Sequence, residues 1–179
     1  MNIPALFSTA DRVRILQSCL FREKLFGVSE VAREARVSKA LVSRLFGVLA
    51  REKLVRRKRG KFVVSPSSGL RAVRVLLTVT RIPASIFRRH AFVKAAGMYG
   101  SGARGENTAS SDVDIWVCVG KADDTELASL AAEIRRAVPQ VSLLLLTDEK
   151  LMHLKENEQL LYHSIHFGSL ILFGDGREV

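Results

Sequence analysis

Cysteines are rare in this sequence, and long apolar runs are missing. The 179 residues include two cysteines, Cys19 and Cys118, which lie in different halves of the chain. Two cysteines so far apart exclude a disulfide-rich scaffold and predict buried, reduced thiols. Arg71, Arg74 and Arg81 interrupt the most hydrophobic stretch, so no segment approaches the ~20 apolar residues needed to cross a bilayer. The first residues also lack the pattern of a signal peptide. We therefore expect a cytoplasmic protein with no membrane partner.

Acidic residues are scarce in the first half of the chain. Residues 1–96 hold 21 Lys/Arg against 5 Asp/Glu, a net charge of +16, whereas residues 97–179 hold 7 against 13, a net of −6. A charge divided in this way indicates a polyanion partner for the first half, because a general solubility charge would be mixed along the chain. Aromatic residues make up only 7% of the sequence. The aromatic platforms of single-strand RNA binders are accordingly absent.

The basic half has the pattern of a helix-turn-helix. Apolar residues at helical spacing predict a first helix over 11–23 and a second over 28–35, and Ser38 can cap a third. The third helix would turn Leu41, Leu45, Val48 and Leu49 inward and Lys39, Ser43, Arg44 and Arg51 outward. The pattern alone also suits a plain three-helix packing unit or a protein–protein module. The charge of the segment favours nucleic acid.

Two short β-prone arms follow, over 54–64, and flank a basic turn that contains Gly60. This is the layout of a β-hairpin. With the preceding helices it resembles the winged-helix domains of bacterial and archaeal transcription regulators, over about residues 8–66. The resemblance implies that the third helix enters the major groove of double-stranded DNA and that the hairpin cations contact phosphates. The DNA-binding residues implied are Lys39, Ser43, Arg44, Arg56, Arg57, Lys58, Arg59 and Lys61.

The run Ser65–Gly69 consists of helix and strand breakers and predicts a domain boundary. We expect a DNA-binding domain over 1–66, a helical connection over 67–90 and a second domain over 91–179. A helix over 70–82 in the connection is a candidate for pairing with its copy in a homodimer.

The acidic half contains a glycine cluster between two β-prone stretches. Gly100, Gly102 and Gly105 satisfy the dinucleotide-binding pattern, but turn-forming residues from Asn107 leave no room for the long helix that this fold requires. A P-loop is excluded because no Gly-Lys-Ser/Thr follows.

The alternative interpretation is a strand, a Gly-Ser turn that opens a short helix, and an Asp-x-Asp strand. Side chains two apart on a strand share a face, so Asp112 and Asp114 would present two carboxylates together. Paired carboxylates hold Mg²⁺, and backbone N–H groups at Gly100 and Ser101 would accept phosphate. The sequence therefore predicts a magnesium and nucleoside triphosphate site.

This stretch closely resembles the minimal nucleotidyltransferases of the polymerase-beta-like superfamily, over roughly 90–175. The likeness extends to 103–106, to Ser111-Asp112 and to a closing helix and strand over 160–174. It implies an α/β (α+β) domain with a mixed sheet flanked by helices. It also implies that Gly100, Ser101 and Arg104 hold the nucleotide and that Asp112 and Asp114 are catalytic ligands of one or two Mg²⁺ ions.

One position departs from the family pattern. Active members carry a third carboxylate on the next core strand, and that strand, over 140–146, has Ser142 instead.

Two functions stay open. The domain transfers a nucleoside monophosphate to a hydroxyl, which in the family's toxin–antitoxin context can belong to a partner protein. Alternatively, the chain is a transcription regulator whose degenerate transferase fold is a ligand sensor or dimerisation module.

His163 and His166 are three apart on the last predicted helix. Because no cysteine or carboxylate completes a ligand pattern, we expect them to have no metal-binding role.

Overall fold

The computed structural model describes residues 1–175. The chain forms two compact units: residues 1–77 with 108–110, and the remainder. The predicted limits of the domains, at 66 and 90, stay predictions, and residues 176–179 of the last predicted domain lie outside the described range. No helix of the described residues is long and apolar enough to span a membrane.

Helices around one apolar core make up most of the first unit. Local capping starts several of them: the Ser38 hydroxyl accepts a hydrogen bond from the Leu41 N–H at 3.2 Å, where the third helix of the predicted trio begins. The core contains Phe26, Phe46 and Leu54, all fully or almost fully buried. The helices are α1 Ile3–Phe7, α2 Ala10–Cys19, α3 Val28–Ala35, α4 Lys39–Arg51 and α5 Ser68–Val79, the last of which runs into the second unit.

The first predicted helix was too long. It was expected over 11–23, but α2 ends at Cys19. The chain must leave the helix there because Phe26 forms an isolated β-bridge with Phe62, through two backbone hydrogen bonds of 2.9 Å. The inward face of α4 was predicted in part, since Leu45 and Leu49 are buried as expected. Val42 and Phe46 are buried, whereas the Leu41 and Val48 predicted there are half-buried.

An antiparallel hairpin follows α4, where the two β-prone arms and the Gly60 turn predicted one. Its strands are β1 Val55–Lys58 and β2 Lys61–Val64, and Lys58 pairs with Lys61. Only Arg59 and Gly60 lie between them, both with positive φ, as a two-residue hairpin turn requires.

Left-handed backbone occurs at three residues other than glycine in the range 1–175. They are Arg36 (φ 54°), after α3; Lys53 (φ 57°), after α4; and Arg59 (φ 51°), in the hairpin turn. All three are cations of the first unit.

The second unit is a four-stranded mixed sheet flanked by helices, with strand order β5-β4-β3-β6. β3 runs antiparallel to β4 and β6, and β4 runs parallel to β5. A dinucleotide-binding turn joins parallel strands, so the antiparallel β3–β4 pair agrees with its rejection from the sequence. The elements are α6 Ser85–Arg88, β3 Val93–Met98, α7 Gly100–Arg104, β4 Val113–Val119, α8 Asp124–Ala137, β5 Val141–Leu146, α9 Asp148–Asn157, α10 Gln159–Gly168 and β6 Leu170–Phe173.

Alternation along β4 assigns its side chains to two cores. Ile115 and Val117 lie in one core with residues of α6 and α8, such as Phe87 and Ile134. Trp116 and Cys118 lie in another with Leu154 of α9 and Ile165 of α10. Because Asp114 shares its parity with Trp116, its carboxylate lies on the sheet face that α9 and α10 cover.

Candidate functional site

The turn after β3 brings Gly100 against the carboxylate of Asp114. Gly100 has a φ of +66°, and a Cβ built on it would lie 2.2 Å from Asp114 Oδ2. The Tyr99 N–H donates to the Asp114 carbonyl oxygen at 3.0 Å, which holds the turn to β4. Glycine is therefore required at position 100 for its backbone conformation and for the space that the carboxylate occupies.

Asp112 and Asp114 lie together at the start of β4. Asp114 is half-buried on the strand, whereas Asp112 is exposed and immediately precedes it, a small correction to the prediction that both lie on the strand. Burial raises the pKa of Asp114, and the negative charge of Asp112 raises it further. A divalent cation would relieve this repulsion, and carboxylate oxygens are ligands that Mg²⁺ prefers. The pair is thus chemically suited to hold Mg²⁺.

Ser142 lies directly opposite Asp114 in the parallel register of β4 and β5. A side-chain hydrogen bond from Ser142 stabilises the charged form of Asp114 and so acts to lower its pKa, against burial and Asp112. The position predicted to hold the missing carboxylate is therefore beside the acidic pair, and a hydroxyl occupies it. Asp148 is not a substitute, because it lies beyond the end of β5 in α9 and forms an ion pair with Lys94 at 3.0 Å.

The remaining predicted nucleotide contacts surround the same turn. Ser101 is half-buried in α7, and its carbonyl oxygen accepts from the Glu106 N–H at 2.9 Å. Arg104 is exposed and donates from Nε to the Glu106 carboxylate at 3.0 Å. Its positive charge also acts to lower the pKa of Asp114. Arg104 is thus close enough to Asp114 for its positive charge to favour the ionised carboxylate.

No sequence pattern singled out Tyr99, whose side chain lies close enough to Asp114 to respond to its charge, whereas Trp116 is a core residue on the same face of β4 as Asp114. Burial raises the pKa of the Tyr99 phenol, as does the negative charge of Asp114. The Trp116 ring covers Gly97, whose added Cβ would meet it at 2.5 Å, and Trp116 Nε1 donates to Ser169 Oγ at 2.8 Å. The one sequence signal for the proximity of Tyr99 to Asp114 was the position of Tyr99 directly before the Gly-Ser turn.

No group of three or more His, Cys, Asp or Glu side chains suited to a metal is found among residues 1–175. The two histidines of α10 are packed among aromatic rings. His166 stacks on Tyr162 with ring centroids 5.6 Å apart, and His163 stacks on Phe167 at 5.7 Å.

In the first unit, the residues predicted to bind DNA are exposed on two elements. Lys39, Ser43 and Arg44 lie on α4. The others belong to the hairpin: Arg56, Arg57 and Lys58 on β1, Arg59 in the turn and Lys61 on β2. Residues 52–54 join α4 directly to the hairpin. The cations of α4 and those of the hairpin therefore lie on adjacent elements of the first unit.

In the second unit, a Gly-Ser turn follows one strand of a mixed sheet and an Asp-x-Asp pair opens the antiparallel neighbour. This combination of fold and site is typical of nucleotidyltransferases. A family model described as Polymerase beta, Nucleotidyltransferase matches residues 84–177. The chain belongs to this family of polymerase-beta-type nucleotidyltransferases. No curated protein sequence matches the chain significantly.

Solved structures that resemble the chain include toxin–antitoxin complexes. One, crystallised with AMP-PNP, is 18% identical, with a TM-score of 0.41, and the alignment covers 56% of this chain and 76% of that one. A second contains a tri-AMPylated HEPN toxin of Shewanella oneidensis with its MNT antitoxin (17% identity, TM-score 0.38, 58% and 76% covered). A third is the toxin–antitoxin MntA–HepT (16% identity, TM-score 0.36, 57% and 75% covered).

Proposed function

We propose that the chain is a DNA-binding protein whose nucleotidyltransferase-type domain binds a nucleoside triphosphate with Mg²⁺. Bound Mg²⁺ would supply charge neutralisation for the phosphates. Asp112 and Asp114 would hold the ion, while Gly100, Ser101 and Arg104 would contact the nucleotide. Where transfer occurs, the hydroxyl oxygen of a partner protein or a small molecule bonds to the α-phosphorus and loses its proton to solvent, the bond between the α- and β-phosphates breaks, and pyrophosphate leaves.

The observation that carries the nucleotide proposal is the contact between Gly100 and Asp114. It joins the phosphate-binding turn to the acidic pair, as a metal-bound triphosphate requires, because the ion must touch carboxylate and phosphate oxygens at once. Asp114 also has a raised pKa, and a cation beside it would favour its charged form.

Mg²⁺-dependent binding tests this proposal. Titration calorimetry with ATP and the other triphosphates, with and without Mg²⁺, should show binding by the unaltered chain that needs the metal. Asp112→Asn with Asp114→Asn should abolish it. Asp124→Asn, an exposed carboxylate in the first turn of α8, is the matched control and should bind normally. Absence of Mg²⁺-dependent binding by the unaltered chain would refute the proposal.

A second candidate is a transcription regulator whose degenerate transferase fold is a ligand sensor or a dimerisation module. The observation that favours it is the Ser142 hydroxyl opposite Asp114. A neutral hydroxyl is too weak a base to accept the proton of an attacking alcohol at neutral pH. It also brings no negative charge to help bind a second metal ion.

Labelled nucleotide separates the two candidates. Transfer of label by the unaltered chain to a partner protein or small molecule would support an active enzyme. Binding without transfer by the unaltered chain, combined with transfer by Ser142→Asp, would support the sensor.

We also infer that the first unit is a winged helix-turn-helix that binds double-stranded DNA. This inference is supported by the exposed cations of α4 and the hairpin, and by the net charge of the unit: residues 1–77 hold 17 Lys/Arg against 5 Asp/Glu, a net charge of +12. Changing Arg56, Arg57, Lys58 and Arg59 to glutamine should weaken duplex binding and make its dependence on salt shallower. Unchanged salt dependence would contradict the role of the hairpin.

A further inference from the structure

A cleft of about 490 Å³ opens in the first unit between α3, α4 and the hairpin. Four of the side chains that line it can donate hydrogen bonds: Ser29 of α3, Ser43 of α4, Arg57 of β1 and Lys61 of β2. All four are exposed to solvent. A ligand in this cleft would therefore contact three structural elements at once.

The groups that line the cleft suit an anion. Two are fixed cations and two are hydroxyls, and the acid that also lines it, Glu30, is already engaged. Its carboxylate pairs with Arg22 and accepts the Gly27 N–H at 3.4 Å. Both hydroxyls and cations donate hydrogen bonds to phosphate oxygens, and charged acceptors form the stronger bonds.

The cleft also continues the face of α4 that the DNA proposal uses. Lys39 and Ser43 are four residues apart on α4, so they share one face of that helix. Gly60, in the turn between the strands, is part of the lining. A Cβ added to Gly60 would meet no atom within 4 Å, so this side of the cleft is open. A duplex lying on the Lys39–Ser43 face would bring one strand's backbone to this opening.

We propose that a backbone phosphate of bound double-stranded DNA is held in this cleft by Ser43, Arg57 and Lys61, with Ser29 on its other side. This inference rests on the proposed DNA binding. It divides the hairpin cations by whether they line the cleft: Arg57 and Lys61 line it and hold one phosphate, whereas Arg56, Lys58 and Arg59 do not line it and act from outside. The phosphate is thereby fixed to α3 as well as to α4 and the hairpin.

A double-mutant cycle on the full chain tests the shared phosphate. Ser43→Ala should weaken duplex binding about tenfold, the effect of losing one hydrogen bond to a charged acceptor. In an Arg57→Gln background the same change should cost less than about threefold, because both residues contact one group. In an Arg59→Gln background it should still cost about tenfold. Arg59→Gln removes the same charge from the same hairpin and is the matched control.

Each other outcome has a defined meaning. Equal effects of Ser43→Ala in all three backgrounds would overturn the cleft assignment while leaving DNA binding intact. No duplex binding by the unaltered chain would refute the DNA function itself. Ser43-dependent binding of inorganic phosphate alone, without coupling in duplex binding, would assign the cleft to a free anion. The same coupling with an RNA duplex of equal affinity would refute the choice of DNA.

Discussion

Ser142 and Asp114 are paired across the parallel strands β4 and β5, with a hydrogen bond between their side chains. The serine hydroxyl therefore occupies the place where a third carboxylate would complete the acidic cluster.

Ser142→Asp should make the second unit less stable without metal and more responsive to Mg²⁺. A third carboxylate beside Asp112 and Asp114 adds like-charge repulsion, for which we expect about 1 kcal/mol, or a Tm lower by about 4 °C. Mg²⁺ should restore the Tm. Ser142→Asn, similar in size but uncharged, is the control, and an equal loss of stability in both variants would contradict an electrostatic cause.

Gly100→Ala should disrupt both the turn and nucleotide binding. The added Cβ would overlap Asp114 Oδ2, and the φ of +66° disfavours any side chain, so we expect a loss of about 1–3 kcal/mol. Denaturant unfolding and Mg²⁺–ATP titration would measure the two effects. Gly168→Ala is the matched control in the same unit, because its Cβ would meet nothing within 4 Å and its φ is not positive. Similar behaviour of both variants would show that the Gly100 contact is unimportant.

The first unit should lose stability in acid through Glu30 and Glu34. Arg22 pairs with both carboxylates. Its hydrogen bond is the main cause that holds the pKa of Glu30 below its usual value. The pKa of Glu34 is lowered first by the hydrogen bond from the Ser18 hydroxyl and then by Arg22. A depressed pKa contributes stability above the unfolded pKa of about 4.3, and this is lost as pH falls through the folded value. Because both carboxylates are more than a third exposed, we expect about 1 kcal/mol or less.

Stability curves against pH for the unaltered chain and Arg22→Met test this. The variant should be less stable at neutral pH and should change less between pH values near 5 and 3. Parallel curves would mean that Arg22 does not stabilise the charged carboxylates.

The indole of Trp116 should be coupled to Ser169. Trp116→Phe removes the N–H that donates to Ser169 Oγ and leaves the hydroxyl without that donor, so we expect a loss of about 1–3 kcal/mol. In a Ser169→Ala background the same change should cost less. A double-mutant cycle from urea unfolding would give the coupling, and additive effects would argue against the bond.

Both thiols should be unreactive in the folded chain. Cys19 and Cys118 are buried, and burial raises the pKa of the Cys19 thiol far above its usual value, so little thiolate forms. Labelling by a disulfide reagent should proceed at the rate of unfolding, and rapid labelling without denaturant would contradict the burial of these side chains.

Local signals predicted much of the fold, and long-range pairing explains what they missed. Ser38 marked the start of α4, and Gly60 marked the hairpin turn, since caps and turns depend on a few neighbouring residues. The end of α2 depends instead on the bridge between Phe26 and Phe62, which no local pattern contains. The helix α9, which starts at the Thr147 cap, was not predicted.

The same contrast between local signals and long-range contacts applies to the candidate site. The spacing of Gly100, Asp112 and Asp114 was sufficient to predict a shared turn and acidic pair. The bond from Trp116 to Ser169 was not predictable, because it joins residues 53 positions apart. The register of β4 and β5 was needed to establish that Ser142 lies directly opposite Asp114.

The three left-handed residues of the first unit have a further consequence. Glycine or asparagine is favoured in this backbone conformation, and another residue adopts it at a cost of roughly 1 kcal/mol. Arg36, Lys53 and Arg59 all adopt it. Each change to glycine should therefore make the free protein harder to unfold while weakening its attraction for a polyanion. The first unit is thus less stable than its backbone allows, and it carries more positive charge in return.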